Sequence, residues 1–436
     1  MSAAGGVDTA LVRLWGELVG GVSWNEERQF ASFEFDREFL ARGLDVAPLT
    51  MPLAVARQGD GRFEFPALAR QGFQGLPGLL ADALPDRFGN ALIDSWLARQ
   101  GRTPVSFSPV ERLCYTGRRA MGALEFEPPV RDGLQGSIPI EVAELVRLAQ
   151  QVQDERAAAK GRLDAGDPDS LIDILRVGTS AGGARPKAVI ALNDASGELR
   201  SGQLDAPSGF RHWILKFDGV RDTTLGDPRG FGRIEMAYST MARAAGIAMS
   251  ETRLLEENGR AHFMSLRFDR VGASGKIHMQ SLCALAHLDY NDAGAHSYEQ
   301  AFSVLRELRV PHEDIEEMYR RMIFNVLARN QDDHTKNLAF LMDRAGVWRL
   351  APAFDLTYAF NPDGRWTHRH QMSIAGKSDD FGYSELIDCG HSMGVKRAAK
   401  IFEGTAAAVD RWPEFADETG VEAEQIAAIG VAHRRF

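Results

Sequence analysis

The stretch from Glu316 to Asp355 constrains this chain more than any other. Its first part, EEMYRRMIFNVLARN, carries apolar pairs at Met318/Tyr319, Met322/Ile323 and Val326/Leu327, a spacing that buries one face of a helix. That helix delivers the loop QDDHTKN from its C-terminal end. LAFLM and VWRLAP then flank the turn-rich tetrapeptide DRAG at Asp343–Gly346, so a hairpin is expected. Its open end brings Asn337 and Asp355 close in space.

Those residue types in that order suit one chemistry. Asp332 is a carboxylate placed to orient a hydroxyl and take its proton. Asn337 and Asp355 offer the hard oxygen ligands that Mg2+ prefers when it bridges phosphates. Asp333 reads as a solvated acid of a helix-end loop, and Lys336 as a solvated lysine. His334 keeps two readings, a phosphate contact or a structural histidine bonding the loop. A hydrolytic metal on the DDH triplet lacks a second His/Asp cluster at ligand spacing.

Upstream the texture is different. LIDILRV, KAVIAL and WILKFDG read as strands, the last two separated by a turn at NDASGE, and ETRLLEENGRAHFMSLRFDR reads as a hairpin turning at Glu257–Arg260. Between the first two strands lies GTSAGGARPKA, Gly178–Ala188, where glycines including Gly182 and Gly183 let backbone N–H groups approach phosphate oxygens. Nearer the N-terminus, alternating segments from Leu11 to about Asp36 read as a small antiparallel sheet. LPGLLADALPDRFGNALIDSWLARQ reads as helix broken at Pro85, and MGALEFEPP as a returning strand. EVAELVRLAQQVQDERAAAKGRLDAGDPDS is a helix running into a polar linker. The expected organisation is thus an N-terminal subdomain over 1–130, helix and linker over 131–170, a sheet-rich lobe over 171–270 and a mainly helical lobe over 271–436.

Charge narrows the partners. Fifty basic against sixty acidic residues leave a net charge of −10, which opposes direct binding to a nucleic-acid backbone or an anionic membrane. Any DNA is expected to be reached through a partner. Cys114, Cys283 and Cys389 are too far apart for CxxC spacing, so neither a disulfide framework nor a zinc site is indicated, and a reducing cytoplasm is expected. No run approaches the roughly 18 apolar residues of a membrane span.

Taken in order, GTSAGGARPK, WILKFDG, MSLRFDR, NQDDHTKN and LAPAFDL, with FPALARQGFQGLPGLLADALPD before them, resemble the HipA-type protein kinases, toxin components of bacterial toxin–antitoxin systems. The resemblance covers nearly the whole chain. It implies an α+β, protein-kinase-like bilobal fold, with a sheet-rich nucleotide lobe, a helical lobe and a small α/β N-terminal subdomain. ATP and Mg2+ are the implied cofactors. Asp332 becomes the catalytic aspartate, Asn337 and Asp355 the metal ligands, and Lys216 the lysine on the α/β-phosphates, with Glu235 as its ion-pair partner. Gly182, Gly183 and His334 join the ATP-binding set, as do Phe268, beside the adenine, and Asp269 next to it. Ser180 aligns with a loop serine that family members autophosphorylate, where a charge of about −1.5 to −2 would eject the loop. A protein substrate such as an aminoacyl-tRNA synthetase and a small helix-turn-helix antitoxin are the implied partners.

The chain departs from ordinary protein kinases: it has no HRD triplet and no GxGxxG, and the DFG position reads Asp355-Leu356-Thr357. Two other readings stand beside the protein kinase. One is a nucleotide-binding co-repressor that holds a DNA-bound antitoxin without physiological kinase activity. The other is a small-molecule phosphotransferase sharing the same loop and hairpin logic.

Overall fold

The structure is a computed structural model, describing residues 7–99, 101–129, 139–158, 185–220, 230–272 and 274–436. Helices combine with sheets whose larger members are antiparallel, giving an α+β class. Two compact units form: Met1–Ala47, Met51–Arg229 and Leu255–Met279 make unit 1, while Pro48–Thr50, Gly230–Leu254 and Gln280–Phe436 make unit 2.

Unit 1 starts with β1 (Thr9–Leu14), β2 (Glu17–Asn25), β3 (Phe30–Phe35), β4 (Arg62–Glu64) and β5 (Leu124–Glu127), ordered β4-β3-β2-β1-β5 with every pairing antiparallel. Period-two alternation puts Ala10, Val12 and Leu14 on the buried face. Glycine is required at Gly20, where an added Cβ would lie 2.2 Å from the carbonyl oxygen of Glu34 on the next strand. As the sequence indicates, Pro85 separates the short helix Gly78–Ala81 from Arg87–Arg99. Asp86 begins the second helix, accepting a hydrogen bond from the Gly89 N–H at 2.6 Å.

A second antiparallel sheet contains β6 (Lys187–Asn193), β7 (Leu199–Ser201), β8 (Phe210–Lys216), β9 (Thr252–Glu257) and β10 (Arg260–Leu266), in the order β7-β6-β8-β10-β9. The turn at Asn258–Gly259 falls where the sequence put it, with both residues at positive φ. Ile190, Trp213 and Leu215 pack against Leu92, Trp96 and Leu97 and against Leu145, Val146 and Ala149 of the helix Val142–Ala158. The apolar stripe of the 142–158 helix, read from the sequence as a helix running into a linker, fills the core between the N-terminal helices and this sheet.

Unit 2 is mainly helical. Its central helix, His312–Leu327, buries Met318, Tyr319, Met322, Ile323, Val326 and Leu327, each large apolar side chain adding roughly 1.5–3 kcal/mol of transfer free energy. Asp314 in its first turn accepts from Arg349 at 2.9 and 2.8 Å and from the Leu350 N–H at 2.9 Å. Those bonds tie the helix to the hairpin Ala339–Met342/Trp348–Leu350, paired Phe340↔Leu350, Leu341↔Arg349 and Met342↔Trp348. The hairpin turn closes on Asp343, whose Oδ1 accepts from the N–H groups of Ala345 and Val347, both at 2.9 Å.

Candidate active site

The helix His312–Leu327 ends at Ala328, and Arg329 then turns left-handed at φ 53°. The Asn330 N–H returns to the Asn325 carbonyl at 3.0 Å, and its side-chain amide donates to the Asn325 Oδ1 at 2.9 Å. This fixes the exit of the loop. Its two adjacent aspartates then part company.

Asp332 stays 40% exposed at its side chain, and its Oδ1 accepts from the Trp366 indole N–H at 2.6 Å, with the His334 Nε2 3.8 Å away. Asp333 turns inward. Its side chain is only 1% exposed and accepts from the Tyr298 hydroxyl at 2.9 Å, the His370 Nδ1 at 2.9 Å and the Gln371 N–H at 2.8 Å. Tyr298 in turn accepts from the Asn325 amide at 2.9 Å, which closes a polar chain back to the central helix. Burial and the neighbouring Asp333 charge push the Tyr298 hydroxyl well above its usual pKa, so it stays a donor. The expectation of a solvated Asp333 is therefore corrected: it is the buried anchor of the loop.

Asn337 closes the short 3-10 turn Thr335–Asn337, and its side-chain N–H donates to the Asp332 carbonyl at 2.9 Å. With its nitrogen committed, the amide presents its oxygen. Asp355 arrives from the other strand of the hairpin, which is held by the Ala351 N–H on the Ala339 carbonyl at 2.9 Å and the Ala353 N–H on the Ala248 carbonyl at 2.8 Å. Its backbone is left-handed at φ 53°, a conformation that aspartate tolerates better than most residues. Asn337 and Asp355 line one cleft together with Asp333, His334 and the buried Arg321.

That donor set fits Mg2+. Such an ion would keep several waters and take one or two hard protein oxygens, the kind that the Asn337 amide and the Asp355 carboxylate offer. Arg321 adds little positive charge to the cleft, because its guanidinium is paired with Glu317 at 2.9 Å and also donates to the Ala351 carbonyl at 2.8 Å. His334 sits with its ring 5.5 Å from Tyr290 and 6.4 Å from Trp366.

The remaining predicted residues are divided between the two units. In unit 1, Lys216 ends β8 half-buried, its ammonium 5.7 Å from the centre of the Phe263 ring. Opposite it on β6, Lys187 is buried and faces Asp86 at 3.8 Å. Phe268 is half-buried after β10. Asp269, expected beside a nucleotide, faces inward instead: it accepts from Arg267 at 2.9 and 2.7 Å, from Arg270 at 2.7 Å and from the Gly122 N–H at 2.7 Å. Burial alone would raise its pKa, but the two guanidinium groups more than reverse this and hold it below the usual carboxylate range. Its side chain is structural. In unit 2, Glu235 is buried in the helix Phe231–Ala244. Ser180, Gly182 and Gly183 lie outside the described residues.

Sequence reading missed Trp366, Tyr298 and His370, which approach the loop from more than 30 residues away and belong to no motif. Asp269 did carry a signal: in RFDR an acid stands between two arginines, the pattern of an ion triad.

Two family models match the chain, that of the HipA N-terminal domain over residues 10–127 and that of the HipA-like C-terminal domain over residues 179–412. Y4mE of Sinorhizobium fredii (strain NBRC 101917 / NGR234), whose name proposes a kinase, is 24% identical over 352 residues, 75% of this chain and 77% of its own length. The fold is similar to HipA in the Shewanella oneidensis MR-1 complex of HipA, HipB and operator DNA, with a TM-score of 0.67 and 17% identity over 97% of this chain and 94% of that one. That likeness establishes an α+β fold of the HipA type, and the two matched domains, spanning most of the sequence in the family's order, make the chain a member of the HipA family.

Proposed function

We propose that the chain is an ATP- and Mg2+-dependent protein serine/threonine kinase and acts as a HipA-type toxin. One observation carries the reading: Asn337, with its amide nitrogen committed to the Asp332 carbonyl, shares a cleft with Asp355. The loop thus couples two cation-binding oxygens to a partly exposed carboxylate one short turn away. Bound Mg2+ would neutralise phosphate charge during transfer.

Within this reading Asp332 orients the acceptor hydroxyl. Trp366 occupies its Oδ1, so the other oxygen faces the hydroxyl and takes its proton as the new bond from the hydroxyl oxygen to the γ-phosphorus of ATP forms in line and the bond to the departing ADP oxygen breaks. Asp333 holds the loop from beneath. Lys216 contacts the nucleotide phosphates and Phe268 the base, while the glycine loop with Gly182 and Gly183 covers the phosphates. Ser180 is the proposed autophosphorylation site, on family resemblance.

A small helix-turn-helix antitoxin is the proposed partner, supported by the relative solved with HipB and operator DNA. DNA is reached through that partner, in keeping with the net charge of −10. An aminoacyl-tRNA synthetase is the proposed substrate class. Labelled ATP tests the chemistry: wild type is expected to label itself or a lysate protein, and Asp332→Ala to label neither. Absence of transfer by wild type, or equal transfer by the variant, overturns the reading. Operator binding that persists in Asp332→Ala while wild type transfers no phosphate would favour the co-repressor.

A further inference from the structure

We propose that the loop Asn361–Arg369 is an acceptor-recognition surface that selects a protein hydroxyl flanked by acidic side chains; this rests on the kinase reading above. The loop is strapped directly to the catalytic segment. Trp366 donates to Asp332 at 2.6 Å, and two residues past the loop the Gln371 N–H donates to Asp333 at 2.8 Å. The Gln371 side-chain amide also donates to the Trp366 carbonyl at 2.5 Å. The loop is braced within itself as well, the Asn361 N–H reaching the Thr367 carbonyl at 3.2 Å and the Gly364 N–H the Asn361 carbonyl at 3.0 Å. An acceptor reaching the free oxygen of Asp332 passes alongside this loop.

The side chains it meets there are basic. Arg365, His368 and Arg369 are exposed, against one exposed acid, Asp363. Neither Arg365 nor Arg369 has an ion-pair partner among the described residues. Several other arginines of unit 2 are matched: Arg349 by Asp314 at 2.8 Å, Arg397 by Glu316 at 2.7 Å, and Arg329 and Arg434 both by Asp379. On a chain of net charge −10, two unmatched guanidinium groups within three residues of the indole that touches Asp332 are the complement of an acidic segment. Guanidinium forks also favour bidentate carboxylates over neutral side chains.

The experiment compares phosphorylation, by full-length wild type and by Arg365→Glu/Arg369→Glu, of short peptides carrying a single serine flanked by Asp, by Ala or by Lys. Wild type is expected to prefer the Asp-flanked over the Lys-flanked peptide by roughly tenfold in kcat/KM, the size of two exposed charge pairs. The preference should shrink as salt rises, and the double variant should reverse the order. Equal use of all peptides by wild type, or an unchanged order in the double variant, overturns the proposal while leaving the kinase reading intact. A rise in the KM for ATP shared equally by every peptide also overturns it, since the arginines then serve the nucleotide. Failure of wild type to phosphorylate any peptide or protein defeats the kinase reading itself.

Discussion

Two acid-bearing loops of this protein, Arg267–Arg270 in unit 1 and Gln331–His334 in unit 2, solve the burial of a carboxylate in opposite ways. Asp269 is surrounded by two guanidinium groups and its charge is fully matched. Asp333 is held by a hydroxyl, a backbone N–H and an imidazole, and no lysine or arginine pairs with it or with Asp332 among the described residues. A matched site attracts nothing further. The unmatched loop keeps a negative field beside Asn337 and Asp355, the condition under which a divalent cation is drawn in.

The largest expected effect separates chemistry from stability. Asp332→Asn is expected to lower phosphoryl transfer by about 10³-fold while changing unfolding free energy within about 0.5 kcal/mol, measured by labelled transfer and by urea melts. A large stability loss would place Asp332 with the structural acids and break the contrast. Next comes Asp269→Asn. Leaving Arg267 and Arg270 buried with less compensation is expected to cost about 3–5 kcal/mol in the same melts, with transfer per folded molecule retained. Loss of ATP binding without loss of stability would return Asp269 to the nucleotide site.

Asp333→Asn should fall between the two. It weakens three hydrogen bonds to a buried group, for about 1–3 kcal/mol, and frees the loop to shift, for a drop on the order of 10²-fold in kcat with less change in KM. The smallest effect is acid sensitivity. Burial pushes His278 in unit 1 and His287 and His433 in unit 2 down to about 4. Each has an unfolded value of about 6.5, so the unfolded chain binds more protons in between. Their stabilisation is complete above that value and is lost as pH falls toward 4, which a Tm series over this range reads in both units. The stabilisation from Asp269, fully present above the unfolded carboxylate value of about 3.9, adds a second loss as pH drops further below it. Hydrogen exchange should therefore show unit 1 opening further there, around the 267–270 segment.

Much of this was legible in the residues. The apolar pairs of the 312–327 helix, the DRAG turn and the Asn258–Gly259 turn are local signals, and local physics decided them. Asn337 and Asp355 line one cleft because a hairpin's ends meet whatever surrounds them. The fate of neighbouring acids was not legible. Asp332 and Asp333 are identical in type and adjacent, yet one faces outward and the other inward because Tyr298, His370 and Gln371 come from distant parts of the chain. The helix Val142–Ala158 was legible as a helix with an apolar stripe, but its partners were not, because the stripe packs against helices and strands far away in sequence.

The discontinuity of unit 1 has a consequence for how the protein is made. Its β10 strand, residues 260–266, leaves the ribosome after the helix Phe231–Ala244 that belongs to unit 2. Until then β8 has only β6 beside it, and its other edge, from Trp213 to Lys216, is open. The nascent chain therefore carries an unpaired, largely apolar strand edge through the synthesis of some forty residues. A gene truncated after residue 220 is expected to yield an insoluble product, whereas extension to residue 279 supplies the strand that covers that edge.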